Sequence, residues 1–460
     1  MEAVEIHEKH NLWSNLRKRY LKFQLSLTPQ QNLLYGFISY TVIGWLLLCL
    51  PLFHKQPVAW LDNLFIATSA ISTTGLTTVS VIDSYNWGGQ FITLLLIQIG
   101  GVGYMTFTSF IMLSMKSELT HWHQRILNSE FAMPKGFQIN DFIRSVIVFT
   151  ILIETLGAIS LYIVFQRAGV DHNFALWSSI YHSVSAFCTA GFGLYSNSFE
   201  NFAGNTSLNI VISVLSIFGS LGFIVVTDFW NRITGKTKVI SFTTKIILLV
   251  TGVLSLAGTI LIYAFEPTVR AYPGFEKIQV SFFQSMTALT TVGFNTIPIN
   301  NLSLPMLLII VLLMYVGASP SGTGGGMKST TFVALIAIMV SRIRARRRVT
   351  FLGKAIPLER MYVATSTFML YAAVIFMATF LLSITDSTFS LQNILFEITS
   401  AIGTVGLSTG ITSALSASGK LVVIAVMFIG RIGVITFGLA ILAKRKQQVD
   451  EKDEKADLAV

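Results

Sequence analysis

The sequence predicts an all-α polytopic membrane protein, with eight transmembrane helices forming four repeats of outer helix, re-entrant pore helix and loop, and inner helix around one central pore. Three observations lead there. The composition suits lipid, eight apolar stretches are long enough to span a bilayer, and a short Gly-centred motif recurs four times in register. Of 460 residues, 53% are hydrophobic and 12% charged, with a mean hydropathy of +0.67. A soluble domain carries about 25% charged residues.

The long apolar stretches lie at 32–52, 90–113, 142–165, 208–229, 246–265, 305–340, 362–384 and 420–442, and each meets the ~20-residue requirement for a spanning helix. Within each successive pair lies a shorter apolar stretch: Asp62–Ala70, Ala175–Phe187, Gln279–Leu289 and Leu391–Ile402. Too short to cross, these read as re-entrant helices. Each runs into a turn of similar sequence: Ser69-Ala-Ile-Ser-Thr-Thr-Gly75-Leu76, Ser185-Ala-Phe-Cys-Thr-Ala-Gly191-Phe192, Thr287-Ala-Leu-Thr-Thr-Val-Gly293-Phe294 and Ser400-Ala-Ile-Gly-Thr-Val-Gly406-Leu407. An aromatic, Phe65, Tyr181, Phe283 or Phe396, stands ten positions before each glycine, and the glycines are 116, 102 and 113 positions apart. A fixed internal period decides the architecture before any local reading does. A second echo follows in the inner helices, at Gly100–Gly103, Gly219–Gly222, Gly317–Pro320 and Gly430–Gly433. The units are then an N-terminal tail (1–31), repeats at 32–115, 116–230, 231–340 and 341–443, and a C-terminal tail (444–460).

Charge placement orients the chain. Of the 32 basic residues, 25 fall in the N-terminal tail, 116–144, 232–245, 342–360 and 444–455. The loop side holds only Lys55, Arg167, Arg270, Lys277 and Lys420. By the positive-inside rule both termini are cytoplasmic and the re-entrant loops face outward. The net charge of +10 therefore speaks of topology, and no nucleic-acid partner is expected. The first thirty or so residues mix acidic and basic side chains, without the apolar core of a cleavable signal. Cys49 and Cys188 support neither a disulfide framework nor a metal site. Arg342–Arg348, with five arginines, reads as an anchor on anionic lipid, with a docking site for a regulatory partner as the alternative.

A cation crossing a bilayer needs oxygens in place of its water, and rings of backbone carbonyls from Thr/Gly loops supply them in potassium-selective pores. Glycine adopts the backbone angles such a loop demands. The candidate filter is therefore Thr73, Thr74 and Gly75; Thr189, Ala190 and Gly191; Thr291, Val292 and Gly293; and Thr404, Val405 and Gly406, with K+ at the carbonyls. The C-terminal end of each short helix, partially negative, would favour a cation there. Glu397, His182 and Gln284 share one register position and are expected to hydrogen-bond behind the filter.

These loops resemble those of the Trk/Ktr/HKT superfamily of potassium transporters over nearly the whole chain. A first repeat starting near residue 32, without an additional N-terminal helix pair, makes the KtrB branch the closest likeness. The resemblance implies the membrane subunit of a Ktr-type potassium uptake system, a homodimer with one pore per subunit, assembled on a cytoplasmic ring of RCK-type nucleotide-binding subunits. It implies no organic cofactor, and leaves open sodium dependence.

Two further features agree with it. Gly317–Lys328 breaks the sixth apolar stretch with five glycines and a proline, and non-helical backbone at that depth survives only when buried in protein or lining a wet cavity. By resemblance this is a gating loop, with Gly322, Gly324, Gly325, Gly326 and Lys328 as gate residues and a packing kink as the plain alternative. A phosphate-binding loop is excluded, because Met327 stands where that motif needs glycine before the lysine. Arg431 places a charge within an apolar helix, at a cost of about 3 kcal/mol. By resemblance it completes the gate; the alternative is an ion pair with Glu154, Asp228 or Glu397. Lys328 reads as a gate charge or a snorkelling anchor. Other functional readings are a sodium-permeable or sodium-coupled transporter, because only two loops read Thr-Val-Gly, and a membrane enzyme using His182 and Glu154, which the fourfold register disfavours.

Overall fold

The computed structural model describes residues 27–103, 106 and 139–442. Most of the N-terminal tail, the expected extension of the second apolar stretch to residue 113, and the C-terminal tail lie outside them.

Four long helices supply the outer members of the repeats: α1 (Pro29–Leu48), α4 (Ile139–Arg167), α8 (Phe242–Phe265) and α12 (Leu358–Thr385). The start of α1 is set by Thr28, whose side chain accepts from Gln31 N while Gln31 bonds back to Thr28 N, a reciprocal cap that satisfies two orphan donors. Along all of α12 only Ala364, Tyr371, Ala378 and Leu382 are buried. So apolar a helix with so little of it covered belongs against lipid.

The pore helices are α2 (Trp60–Ile71), α5 (His172–Phe187), α9 (Gly274–Thr290) and α13 (Leu391–Gly403), of 12 to 17 residues. At 1.5 Å per residue they reach roughly 18–26 Å, short of the ~30 Å hydrocarbon core. Their aromatics Phe65, Tyr181, Phe283 and Phe396 are wholly buried.

Of the inner helices, those of repeats 2 and 4 depart from the expected unbroken spans, and that of repeat 3 breaks where the sequence places a break. The set comprises α3 (Trp87–Val102), α6 and α7 (Thr206–Leu221 and Phe223–Ile233), α10 and α11 (Leu304–Val316 and Ser329–Ile343), and α14 and α15 (Ala417–Ile432 and Val434–Leu442). Chain direction turns by 92° between α6 and α7 and by 98° between α14 and α15. The glycine echo explains both the packing and the turn. A Cβ on Gly100, Gly219 or Gly430 would stand 2.0, 1.9 or 2.2 Å from the carbonyl oxygen of Ile71, Phe187 or Ile402, so the first glycine lets the inner helix lie against its own pore helix. Gly103, Gly222 and Gly433, at φ 88°, 87° and 90°, end the helical ladder in a conformation open to glycine. In repeat 3 the break is longer, from Gly317 to Lys328.

A short antiparallel pairing of Thr350–Phe351 (β1) with Lys354–Ala355 (β2) follows α11, the only named strands among the described residues. The repeats meet in sequence order. Trp177 Nε1 donates to Gln90 Oε1 at 2.7 Å, and the Thr93 and Tyr181 hydroxyls are 3.0 Å apart, joining repeats 1 and 2. The last repeat returns to the first through Lys420 Nζ and Asp62 Oδ1, 2.7 Å apart.

Candidate ion pathway

Each pore helix is followed within two residues by a threonine in the left-handed region: Thr73, Thr189, Thr291 and Thr404 have φ 52°, 50°, 60° and 50°. A β-branched residue is rarely held there, and is so only where surroundings impose it. The next residue donates its amide back to the pore helix in all four cases: Thr74 to Ser69 O, Ala190 to Ser185 O, Val292 to Thr287 O and Val405 to Ser400 O, at 2.8–3.1 Å. The glycine then follows at φ 89°, 67°, 78° or 92°. Four loops thus share one conformation despite unequal side chains.

Their mutual packing forms a ring. A Cβ added to Gly75 would lie 2.5 Å from Ala190 O, to Gly191 2.6 Å from Val292 O, to Gly293 1.9 Å from Val405 O, and to Gly406 2.3 Å from Thr74 O. Each glycine leans on the carbonyl of the next repeat, and the fourth leans on the first. The twelve residues singled out in the sequence are brought together here, around one axis.

Polar side chains behind the ring hold the loops. Ser69 Oγ accepts from Gly75 N, and Ser400 Oγ from Gly406 N, both at 3.1 Å. His182 Nε2 accepts from Leu194 N at 3.1 Å, which leaves the proton on Nδ1 to donate to Ser178 O, 2.7 Å away. Gln284, with its amide oriented to satisfy both contacts, accepts from Thr296 N at 3.1 Å and Ile297 N at 3.2 Å. Glu397 accepts from the hydroxyls of Ser408 and Thr412. These are the three residues of the shared register position; repeat 1 has Ile66 there, and its neighbour Asn63 instead accepts from Tyr85 OH at 2.6 Å.

On one side the ring opens into a cavity of about 340 Å3, bordered by Gly75, Gly191, Gly293 and Gly406. Among the described residues that line it the one carboxylate is Glu200, which accepts from Asn295 Nδ2 at 2.8 Å. Nearby in the loop before α9, burial pushes the Tyr272 phenol up, and the charges of Glu200 and Glu276 add to the shift.

The other side is occupied by the break in repeat 3. Thr73 Oγ1 donates to Thr323 O at 3.3 Å, and the Thr189 and Thr323 hydroxyls are 3.1 Å apart. A Cβ on Gly324 would be 2.1 Å from Thr291 Oγ1, and on Gly325 2.3 Å from Thr404 Oγ1. All four loop threonines therefore face this one segment. It docks on the bend of repeat 2, where Thr323 N donates to Gly219 O, Ser319 N to Ser220 O and Phe223 N to Ser321 O, and where a Cβ on Gly322 would be 2.6 Å from Ser220 O. Two cations hold it from beneath. Lys328 Nζ donates to Gly324 O at 2.8 Å, and the Arg431 guanidinium donates to the carbonyls of Thr323, Gly100 and Gly101. A smaller cavity of about 130 Å3 lies next to Lys328, Arg431, Gly322, Gly324 and Gly326.

The three carboxylates weighed as partners for Arg431 have other work. Glu154 accepts from Gln98 Nε2, Asp228 accepts from Ser241 N and Thr244 Oγ1, and Glu397 is bonded as above. Sequence reasoning gave no individual role to Thr323 or to the bracing serines. For Ser69 and Ser400 the signal was present, as a hydroxyl residue six positions before every loop glycine; for Thr323 no local pattern exists.

The chain matches the family described as TrkH, cation transport protein, over residues 3–450. It is 32% identical over 417 residues to the Ktr system potassium uptake protein B of Bacillus subtilis, covering 89% of this chain and 92% of that protein. It is 33% identical to the potassium/sodium uptake protein NtpJ of Enterococcus hirae, over 91% of this chain and 94% of that one. The crystal structure of the potassium transporter TrkH from Vibrio parahaemolyticus superposes with a TM-score of 0.70 at 18% identity, over 90% of this chain and 86% of that one. With its helical repeats, its ring of loops and these relatives, the chain belongs to the TrkH family of cation transport proteins.

Proposed function

We propose that this chain is the pore-forming membrane subunit of a Ktr-type potassium uptake system, passing K+ inward through the ring of loops. The observation that carries the reading is the closed succession of glycines against the carbonyls of Thr74, Ala190, Val292 and Val405, a geometry in which backbone oxygens replace the hydration shell of an ion. The names of relatives alike over nearly the full chain point the same way. In this reading Gly317–Lys328 is the gate and the Lys328 and Arg431 charges oppose cations at it. At an effective dielectric of about 20, a unit charge roughly 8 Å away raises a cation by about 2 kcal/mol.

Orientation follows basic-residue placement, with both termini cytoplasmic and the wider cavity outside. The partners that fit are a second copy of the chain, a cytoplasmic ring of RCK-type nucleotide-binding subunits, and anionic lipid at Arg342–Arg348. Sodium permeation or coupling is the second reading, favoured by the unequal loops and by one relative, the potassium/sodium uptake protein of Enterococcus hirae.

The test is ion flux in proteoliposomes at a clamped potential, with K+ and Na+ compared. K+ flux at least tenfold above Na+ flux is expected. Equal fluxes would transfer the assignment to the sodium reading, and no flux of either ion would overturn both.

A further inference from the structure

We propose that Glu200 is the recruiting charge of the pathway, a carboxylate that concentrates monovalent cations in the wider cavity and so sets the outside K+ concentration at which flux half-saturates. This rests on the pore reading and adds to it a residue from outside the twelve of the ring. The loop carbonyls are dipoles, whose field fades within a few ångströms, whereas a full charge acts across the whole opening. Among the described residues that border the cavity, Glu200 alone is charged; its polar companions, Thr77, Ser80, Asn300 and Ser408 among them, are neutral. A cavity of about 340 Å3 is roughly 9 Å across, no wider than the ~10 Å over which about 0.1 M salt screens a charge. An ion anywhere inside therefore feels this carboxylate. One sign of charge in a recess with low-dielectric walls raises the local counter-ion concentration and the rate of entry.

The charge is a departure from fourfold order. Nine positions after the loop glycines stand Ser84, Glu200, Leu302 and Leu415. Ser84, Leu302 and Leu415 are buried, and only Glu200 is partly exposed and borders the cavity. Its place is imposed from the neighbouring repeat by Asn295, two residues beyond Gly293. Asn295 N donates to Ser198 Oγ at 3.1 Å, and Asn295 O accepts from Phe199 N at 3.0 Å. Asn295 Nδ2 donates to Glu200 Oε1 at 2.8 Å and to Ile297 O at 3.1 Å. Both amide protons are thereby committed, which fixes the way that side chain turns and with it the carboxylate. Ser198 is held at φ 53°, a region costly for a residue with a Cβ, so contacts with repeat 3 keep the turn that delivers Glu200. The carboxylate is thus tied to the loop that carries Gly293 and yet stands outside the ring. A single charge attracts K+ and Na+ alike. It governs how many ions arrive, and the carbonyls govern which of them pass.

The experiment is Glu200→Gln in proteoliposomes, with K+ flux measured against outside K+. Ionic strength is set with a large organic cation to about 0.01 M or about 1 M, where screening lengths are ~30 Å and ~3 Å. Glutamine keeps an oxygen for Asn295 and loses only the charge. At low salt the half-saturating K+ concentration should rise about 3- to 10-fold, and at high salt by less than about twofold. Maximal flux and the K+/Na+ ratio should not change. Glu200→Asp, which keeps the charge, should stay within about twofold of the parent in both salts. Glu276→Gln is the control for surface charge in general, because Glu276 lies in the first turn of α9 and is not among the residues bordering the cavity; its shift should be smaller. A conducting parent beside a Glu200→Gln variant with unchanged half-saturation at low salt overturns the recruitment and spares the pore reading. A shift that persists undiminished at about 1 M salt, or a fall in maximal flux, also overturns it, since the side chain would then be a structural brace. An equal shift from Glu276→Gln gives the effect to the outer surface as a whole and removes the role of Glu200. A parent that passes neither K+ nor Na+ overturns the pore reading and the recruitment with it.

Discussion

The tightest contacts in the molecule lie where single side chains are missing. Gly293 shares the closest of them with Gly219, because a Cβ there would be 1.9 Å from Val405 O, a separation no side chain tolerates. Gly293→Ser is therefore expected to displace the neighbouring carbonyl and lower the K+/Na+ flux ratio at least tenfold, which corresponds to about 1.4 kcal/mol of lost discrimination. Gly410→Ser is the control, since Gly410 has a comparable φ of 93° but open space around it. It should leave the ratio within twofold; a matching loss in both would mean that backbone strain, and not the ring, sets selectivity. At this scale the sequence was unusually readable, because left-handed threonine followed by positive-φ glycine admits few residue types and is repeated four times. Arg431 was less so. Its charge announced a function, but its hydrogen bonds go to backbone carbonyls, and carbonyls look alike at every position of a sequence.

Among elements, the segment Gly317–Lys328 separates the ring from the smaller cavity. Deleting Gly322–Gly326 is expected to raise resting K+ flux by an order of magnitude or more without altering selectivity, and Arg431→Ala should raise it by several-fold. Because Arg431 donates to Thr323 O within this segment, the double variant should gain less than the product of the separate gains, as contacting groups couple. Multiplicative gains would place the charge and the segment at separate barriers. The outer and pore helices were legible from length and apolarity alone. The bends of the inner helices in repeats 2 and 4 were not, because Gly219 and Gly222 are the same letter, one needed for close approach and the other for a change of direction, and only the packed neighbours distinguish them.

For the molecule as a whole, orientation and closure can be tested independently of transport. Ala345→Cys, in a background with Cys49→Ala and Cys188→Ser, should resist an impermeant thiol reagent on intact cells and react after permeabilisation. Labelling from outside would reverse every loop assignment at once. Lys420→Met should break the contact that joins the last repeat to the first. With both side chains 15% exposed, the pair lies between the surface and buried limits, so a loss of about 1–2 kcal/mol is expected, seen as a fall of about 2–4 °C in Tm with the K+/Na+ ratio intact. An unchanged Tm would show that the backbone ring closes without it. The segment beneath the ring has a consequence for stoichiometry. It meets all four threonines yet belongs to one repeat, so it occupies the axis alone. Four identical subunits would each bring such a segment to the same spot, and four could not fit. Fusing the quarters into one polypeptide, and letting them diverge, allows a single off-axis arm to serve a fourfold opening, with a single cationic contact from a different quarter to steady it.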